Sequence, residues 1–350
     1  MILVTSLTIS ASLLRKLLRL WDESGEQRNP FASVLVTPLF TDPSTLALVR
    51  TEMKDTRGCR VYFDSGGYYA QQGKVSFDEL YCRVRDYYRS GVNQWADWYV
   101  LPDNVPTSQD SAETVERKVR DTITAARLFH GEMPLLVQER SMPVIQGHTF
   151  AQVRNCVEAY REMGAQYMGF GSFGTSGATN SINVADPRSA QTLAFITGQL
   201  REEQIRLHTF GISTPPAVYA FKRMGIHSFD SMAWLRSAAY GKVFLPYTRA
   251  YNVSHRSTRN SALERAEFEE LKLRTDHRCP FCESFDDLRD NRLCRALHNL
   301  TCVMETAGGD SKLSRAQIGD VIADRSQRYY RMFEHLYRTE VPLDRGVGVP

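Results

Sequence analysis

The segment PVIQGHTFAQVRNCVEAYREMGAQYMGFG, residues 143–171, holds the pattern that repeats along the chain. A short apolar run, PVIQG, leads into a stretch where Val153, Val157 and Tyr160 fall on one stripe and Gly164 follows. A second apolar run, YMGFG, comes next. Apolar residues spaced by three or four mark an amphipathic helix, and short apolar runs bounded by turn residues mark buried strands. The segment therefore reads as strand, helix, strand.

Working outward, the same alternation predicts strands at 2–6, 33–39, 60–64, 97–103, 135–147, 167–171, 206–211 and 227–230. The fifth takes LLVQ and PVIQG as one broken strand. Val115, Val119 and Ile123 define a helix before it, with Asp110 or Ser111 suited to cap its start and Gly131 its end. Eight strand–helix units is the number that closes a (β/α)8 barrel. The rival, an open doubly wound sheet, lacks its G-x-G-x-x-G turn after the first strand. The expected fold is thus α/β, a (β/α)8 TIM barrel over residues 1–245. Beyond residue 245 the alternation gives way to a Cys/His cluster and polar helices, expected to form a zinc-binding subdomain over 246–350.

Composition narrows the function. Forty-three Lys and Arg against 40 Asp and Glu leave a net charge of +3, which permits a nucleic-acid partner without demanding one. A 42% hydrophobic content excludes a disordered chain, and no apolar run approaches the roughly 20 residues that cross a bilayer. At the N-terminus, Arg15, Lys16 and Arg19 follow the apolar run, the reverse of a secretory signal. Seven cysteines, four of them between 279 and 302, suit metal binding in a reducing compartment better than a disulfide framework. The expected location is the cytoplasm.

Functional groups of a barrel sit at the C-terminal ends of its strands. Those ends carry Asp64, Asp103, Gln146, Gly171 and Asp230. Asp64 opens FDSGGYY, where Ser65, Gly66 and Gly67 form a turn that lets backbone approach a flat ligand closely. Each Asp taken singly could equally be a capping residue. Several strands ending in Asp or Gln together are harder to read that way. The set Cys279-x2-Cys282-x11-Cys294-x3-His298 has the spacing of a tetrahedral zinc site. Cys294 and His298 are i, i+4 and share a helix face. Four protein ligands close such a site, so the zinc is expected to be structural.

FDSGGYY, VIQGHTF, YMGFG, GIHSFDS running into WLRSAAYGKVF, and the CPFC…ALHNL segment together resemble the tRNA-guanine transglycosylase superfamily, over roughly residues 30–305. The compact length and the wording FDSGGYY…LPDNVPTS are most similar to the DpdA-type DNA-guanine transglycosylases, which exchange guanine in DNA for a 7-deazaguanine such as preQ0. The resemblance implies that Asp230 is the nucleophile and Asp64 the general acid/base. It implies that Asp103 and Gln146 recognise the base, and that the backbone of Gly171 meets it. The family's paired glycine reads Phe170-Gly171 here. Its Cys-x-Cys-x-x-Cys begins with His277, which makes His277 the alternative fourth zinc ligand; helical spacing favours Cys294, and Cys302 is a weaker substitute.

Exchange without hydrolysis suits a double displacement at the anomeric carbon. The expected partners are DNA, or alternatively tRNA, and a free 7-deazaguanine base. Arg236, Lys242, Arg249, Arg256 and Arg259, interleaved with Trp234, Tyr240, Tyr247 and Tyr251, are expected to track the phosphate backbone. A non-catalytic nucleic-acid-binding relative is the competing reading, against which the joint presence of Asp64, Asp103 and Asp230 counts.

Overall fold

The computed structural model describes residues 1–171, 187–212, 214–254, 262–309 and 311–338. Among the described residues, nine short strands form one wholly parallel sheet: β1 (Ile2–Ser6), β2 (Ser33–Val36), β3 (Arg60–Phe63), β4 (Trp98–Val100), β5 (Ser141–Met142), β6 (Val144–Ile145), β7 (Tyr167–Phe170), β8 (Arg206–Thr209) and β9 (Ser228–Ser231). β1 pairs with both β2 and β9, so the first and last strands are neighbours. β5 pairs with β4, and β6 with β7. These two are halves of one strand interrupted at Pro143, which has no N–H to give a ladder. The Pro143 carbonyl still accepts from the Gly169 N–H at 2.8 Å. The ring therefore passes through this broken strand, giving the eight staves of the expected barrel.

Side-chain alternation divides the strands into an inner and an outer face. Val4, Leu35, Tyr62, Val100, Val144 and Tyr167 pack together inside the ring. Their neighbours Leu3, Val34, Val61, Phe63, Tyr99, Ile145 and Met168 pack outward against the helices. Both faces are buried, which is why the strands read as continuous apolar runs.

Helix Phe150–Glu162 starts on a capping box of Thr149 and Gln152 and buries Val153, Val157 and Tyr160. The Tyr160 hydroxyl donates to the Val144 carbonyl at 2.8 Å, fastening that helix to the broken strand. Two expectations need correction. LLVQ is not strand but the helical turn Leu135–Glu139, with Leu135 and Leu136 exposed and only Val137 buried. Gly131 does not end the preceding helix; Ala112–Glu132 runs past it and stops at Met133, which is extended. Pro134 accounts for both, because it forces its predecessor out of the helical region and then opens a new turn.

After β9 the chain adds helix Ala233–Ala239, the antiparallel pair Lys242–Val243 and Tyr251–Asn252, and further helices. Helix Arg292–Gly308 packs against Ala233–Ala239 and Pro215–Met224. Its Asn299 accepts from the Phe244 N–H at 2.7 Å and donates to the carbonyls of Trp234 (3.1 Å) and Lys242 (3.0 Å). The apolar core continues from the barrel helices into this segment. No helix among the described residues is long and apolar enough to cross a membrane.

Candidate active site

A pocket of about 680 Å³ opens at the C-terminal ends of the strands. Every stave contributes to its lining: Ser6 from β1, Thr37 after β2, Asp64 after β3, Asp103 after β4, Gln146 after β6, Gly171 after β7, Gly211 after β8 and Asp230 from β9. Leu35, Val100, Val144 and Phe210 supply apolar walls. A flat ligand with polar edges matches such a space.

Asp230 is 8% exposed and both its oxygens are engaged. Oδ2 accepts from the Ser6 hydroxyl at 2.6 Å, and Oδ1 accepts from the Gly211 N–H at 2.8 Å. Asp64 Oδ2 accepts from the Thr37 hydroxyl at 2.9 Å. Burial pushes the Asp64 carboxyl up to about 6, the Asp230 charge adds to this, and the Thr37 hydrogen bond opposes it. Asp103 is pushed up to about 7, by burial first and then by the Asp64 charge. Gln146 Nε2 donates to Asp103 Oδ2 at 2.5 Å and Ser65 to Oδ1 at 3.3 Å, which partly offsets that rise. Neighbouring carboxylates in one pocket cannot all ionise cheaply, and a group balanced near neutral pH is suited to moving protons.

The Ser65-Gly66-Gly67 turn is built for this arrangement. Gly66 has φ +87°, a conformation that glycine adopts without strain. At Gly67 a Cβ would collide with the Asp103 carboxylate, so glycine lets the turn close over it. Ser65 is buried, and its hydroxyl is spent on Asp103. Gly67, not Gly66, lines the pocket.

The raised carboxyls affect stability. A carboxyl whose folded pKa exceeds its unfolded value of 3.8 is better accommodated protonated, so its favourable contribution is complete below that value and is lost as pH climbs through the folded one. For Asp103 the window runs from about 4 to about 7. Replacing it by Asn removes the titration. The Asp103→Asn variant should therefore gain stability relative to wild type across this window, by on the order of a few kcal/mol. Urea unfolding of both proteins from pH 4 to pH 8 checks this; a difference independent of pH contradicts it.

Arg236, Tyr240 and Lys242 line the outer pocket, and Tyr240 is 71% exposed. Arg249 is exposed but stands off the pocket lining, its guanidinium 5.0 Å from the Tyr251 ring centre. Arg256 and Arg259 lie outside the described residues. The expected interleaving of aromatics fails at three positions. Trp234, Tyr247 and Tyr251 are buried core residues, leaving Tyr240 as the accessible ring of that set.

A second constellation lies between helix Arg292–Gly308 and the Cys-x-x-Cys turn. His277, Cys279, Cys282 and His298 are all buried, and their ligand atoms lie within 4.8 Å of one another. His277 Nε2 and His298 Nδ1 are 3.3 Å apart, and Cys279 Sγ is 3.4 Å from both Cys282 Sγ and His298 Nδ1. Bonds of about 2.0–2.3 Å from a tetrahedral zinc to nitrogen and sulfur set ligand separations of this size. The outer nitrogens are also held: His277 Nδ1 by Glu305 at 2.6 Å, and His298 Nε2 by the Phe244 carbonyl at 2.8 Å. Such partners fix which nitrogen faces a metal. The donor set fits zinc.

Cys294, the favoured fourth ligand, is not in this cluster. It sits half-exposed in the first turn of its helix, where Asn291 caps its N–H. The donor that joins Cys279, Cys282 and His298 is His277, the alternative fourth ligand, which precedes the Cys-x-x-Cys turn. Cys302, four residues past His298, lies 3.6 Å from His298 Nε2.

Sequence reasoning missed Ser6, Thr37, Phe210 and Gly211. Ser6 ends the strand ILVTS and Thr37 follows SVLV, so strand-end logic could have found both.

The fold and pocket define a class: a (β/α)8-barrel enzyme with several carboxylates gathered at the strand ends. The family model described as queuine tRNA-ribosyltransferase matches residues 92–306, and the chain belongs to that family. It is accordingly a guanine transglycosylase, a pentosyltransferase whose family acts on a nucleic acid and a free base. No curated protein matches it significantly.

Proposed function

We propose that this protein replaces guanine in DNA by a 7-deazaguanine base of the preQ0 type, through a covalent Asp230–glycosyl intermediate. The observation that carries the chemistry is the meeting of Asp64, Asp103, Gln146 and Asp230 in one pocket. In this reading the Asp230 carboxylate attacks C1′ of the target nucleotide, and guanine leaves with a proton from Asp64. The incoming base gives a proton to Asp64, attacks C1′ from the vacated side and frees Asp230. Two displacements preserve the anomeric configuration. A carboxyl near pH 6 serves as both acid and base in turn.

Asp103 recognises the base in this scheme. Guanine and its 7-deaza relatives present a row of N–H donors on one edge, and an ionised carboxylate accepts them. Binding therefore draws the proton off Asp103. Gln146 supplies an amide donor, and the backbone at Gly171 borders the same space. The target nucleotide must leave its stack to reach this depth. Arg236 and Lys242 at the rim meet its flanking phosphates, and Tyr240 offers a face for a neighbouring base. A zinc held by His277, Cys279, Cys282 and His298 would be structural, since four protein ligands leave no position for substrate. The catalytic barrel spans 1–245 and the zinc-binding segment 246–350, in a cytoplasmic enzyme.

DNA is favoured by the wording FDSGGYY…LPDNVPTS, and tRNA by the description of the matching family. Labelled-guanine exchange with matched DNA and tRNA substrates separates them. Exchange into DNA is expected, and Tyr240→Ala should raise KM for the polynucleotide about tenfold while leaving KM for the free base unchanged. Exchange confined to tRNA would refute the DNA assignment.

A further inference from the structure

Beneath the pocket floor, inside the barrel, lies a polar chain with no place in the roles above. His208 is fully buried on β8, among the rings of Tyr62, Tyr167 and Phe210. Its Nδ1 is 2.7 Å from the Ser228 hydroxyl, and that hydroxyl is in turn hydrogen-bonded to the Tyr167 hydroxyl. Among the described residues its Nε2 has no hydrogen-bond partner, yet it stands 3.5 Å from Asp230 Oδ1. A fully buried ring nitrogen without a partner costs free energy, so its retention beside a carboxylate calls for a reason.

The chain has a direction. A tyrosine O–H can donate to Ser228, and Ser228 can then donate only to an unprotonated Nδ1. The proton of a neutral imidazole must then sit on Nε2, facing Asp230. Ser228 and Asp230 are two apart on β9, so both project to the same side of the strand. β8 carries His208 next to them, with His208 and Ser228 in register.

We propose that His208 is a positioning residue for Asp230, its tautomer set by Ser228 and Tyr167 so that an N–H is always presented to Oδ1. This rests on the reading of Asp230 as nucleophile. Together with the Gly211 N–H, the imidazole gives Oδ1 two donors and fixes the carboxylate's rotation toward C1′. When the incoming base displaces Asp230 from the sugar, negative charge returns to the carboxylate, and the same N–H stabilises it as it departs. The contact is long at 3.5 Å in the free enzyme and tightens in the substrate complex, as catalytic hydrogen bonds commonly do.

The test compares His208→Leu, His208→Gln and Ser228→Ala with wild type in steady-state guanine exchange, with Asp230→Ala as reference. Gln offers an amide N–H toward Asp230 and an oxygen toward Ser228. Expected is a loss in kcat of roughly ten- to hundredfold for Leu and about tenfold for Ser228→Ala, with KM for the free base unchanged. Gln should recover most of the loss. If His208→Leu does not fold, the Gln and Ser228→Ala variants carry the comparison. A folded Leu variant with wild-type kcat, a loss confined to KM, or a Gln variant no better than Leu overturns the role of His208. Wild-type exchange by Asp230→Ala overturns the nucleophile reading instead, so the two failures are distinct.

Discussion

Asp230→Ala is expected to lose base exchange by at least about a thousandfold, while its unfolding midpoint stays close to that of wild type. The chemical argument is the absence of a substitute at that position. Ser6 and Gly211 offer Asp230 a hydroxyl and an N–H, neither a carboxylate. Asp64 is tied to the Thr37 hydroxyl and, in the proposed scheme, carries the proton that the leaving base needs. Truncation leaves the Ser6 hydroxyl and the Gly211 N–H without their acceptor, but both border the pocket, where water can reach them. Removing the Asp230 charge also lowers the Asp64 carboxyl, since that charge is one cause of its rise. Asp230→Asn keeps the shape and should be as inactive as Ala. The sharpest readout is a denaturation-stable protein–nucleic acid adduct, present in wild type and missing from both variants. An adduct that persists in Asp230→Ala but vanishes in Asp64→Ala would exchange the two roles.

The ends of the strands were legible because parallel strands in a barrel are apolar on both faces, so a carboxylate or amide at the exit of an apolar run stands out. Asp64, Asp103, Gln146 and Asp230 all follow that rule, and the pocket unites them. The groups that hold them were harder to see. Ser6 and Asp230 are 224 residues apart and meet only because the barrel closes β1 against β9. His208 sits within a short buried strand, where a histidine reads as an ordinary core residue. The aromatics after Asp230 failed for a related reason. Period and composition mark Trp234 and Tyr240 alike, yet one is fully buried and the other open, and only packing decides which. At the Cys/His cluster the four-residue step identified His298, but the fourth donor, His277, comes from just before Cys279 and not from the helix.

That last correction leads to the other large effect expected. Purified protein should carry one equivalent of zinc, and Cys294→Ser should keep it. His277→Ala, Cys279→Ser or Cys282→Ser should lose it and lower the unfolding midpoint sharply. Apparent binding free energies at closed zinc sites are about 10–16 kcal/mol in small peptides, comparable to the whole stability of an ordinary domain. Part of that energy would be lost with any one ligand. Local wiring makes the effect spread. Glu305, which fixes His277, also takes Arg28 Nη1 at 2.5 Å, and Arg28 reaches the Arg278 carbonyl at 3.2 Å. The Phe244 carbonyl that orients His298 belongs to the chain segment following Lys242 at the pocket rim. Chelation should therefore weaken polynucleotide binding before it touches the carboxylates, and then unfold the C-terminal helices. Metal analysis with thermal unfolding of the four variants measures both effects. Zinc retained at one equivalent in His277→Ala but lost in Cys294→Ser would restore Cys294 as the ligand, and zinc retained in both would give the fourth position to Cys302, whose sulfur already lies 3.7 Å from His277 Nε2.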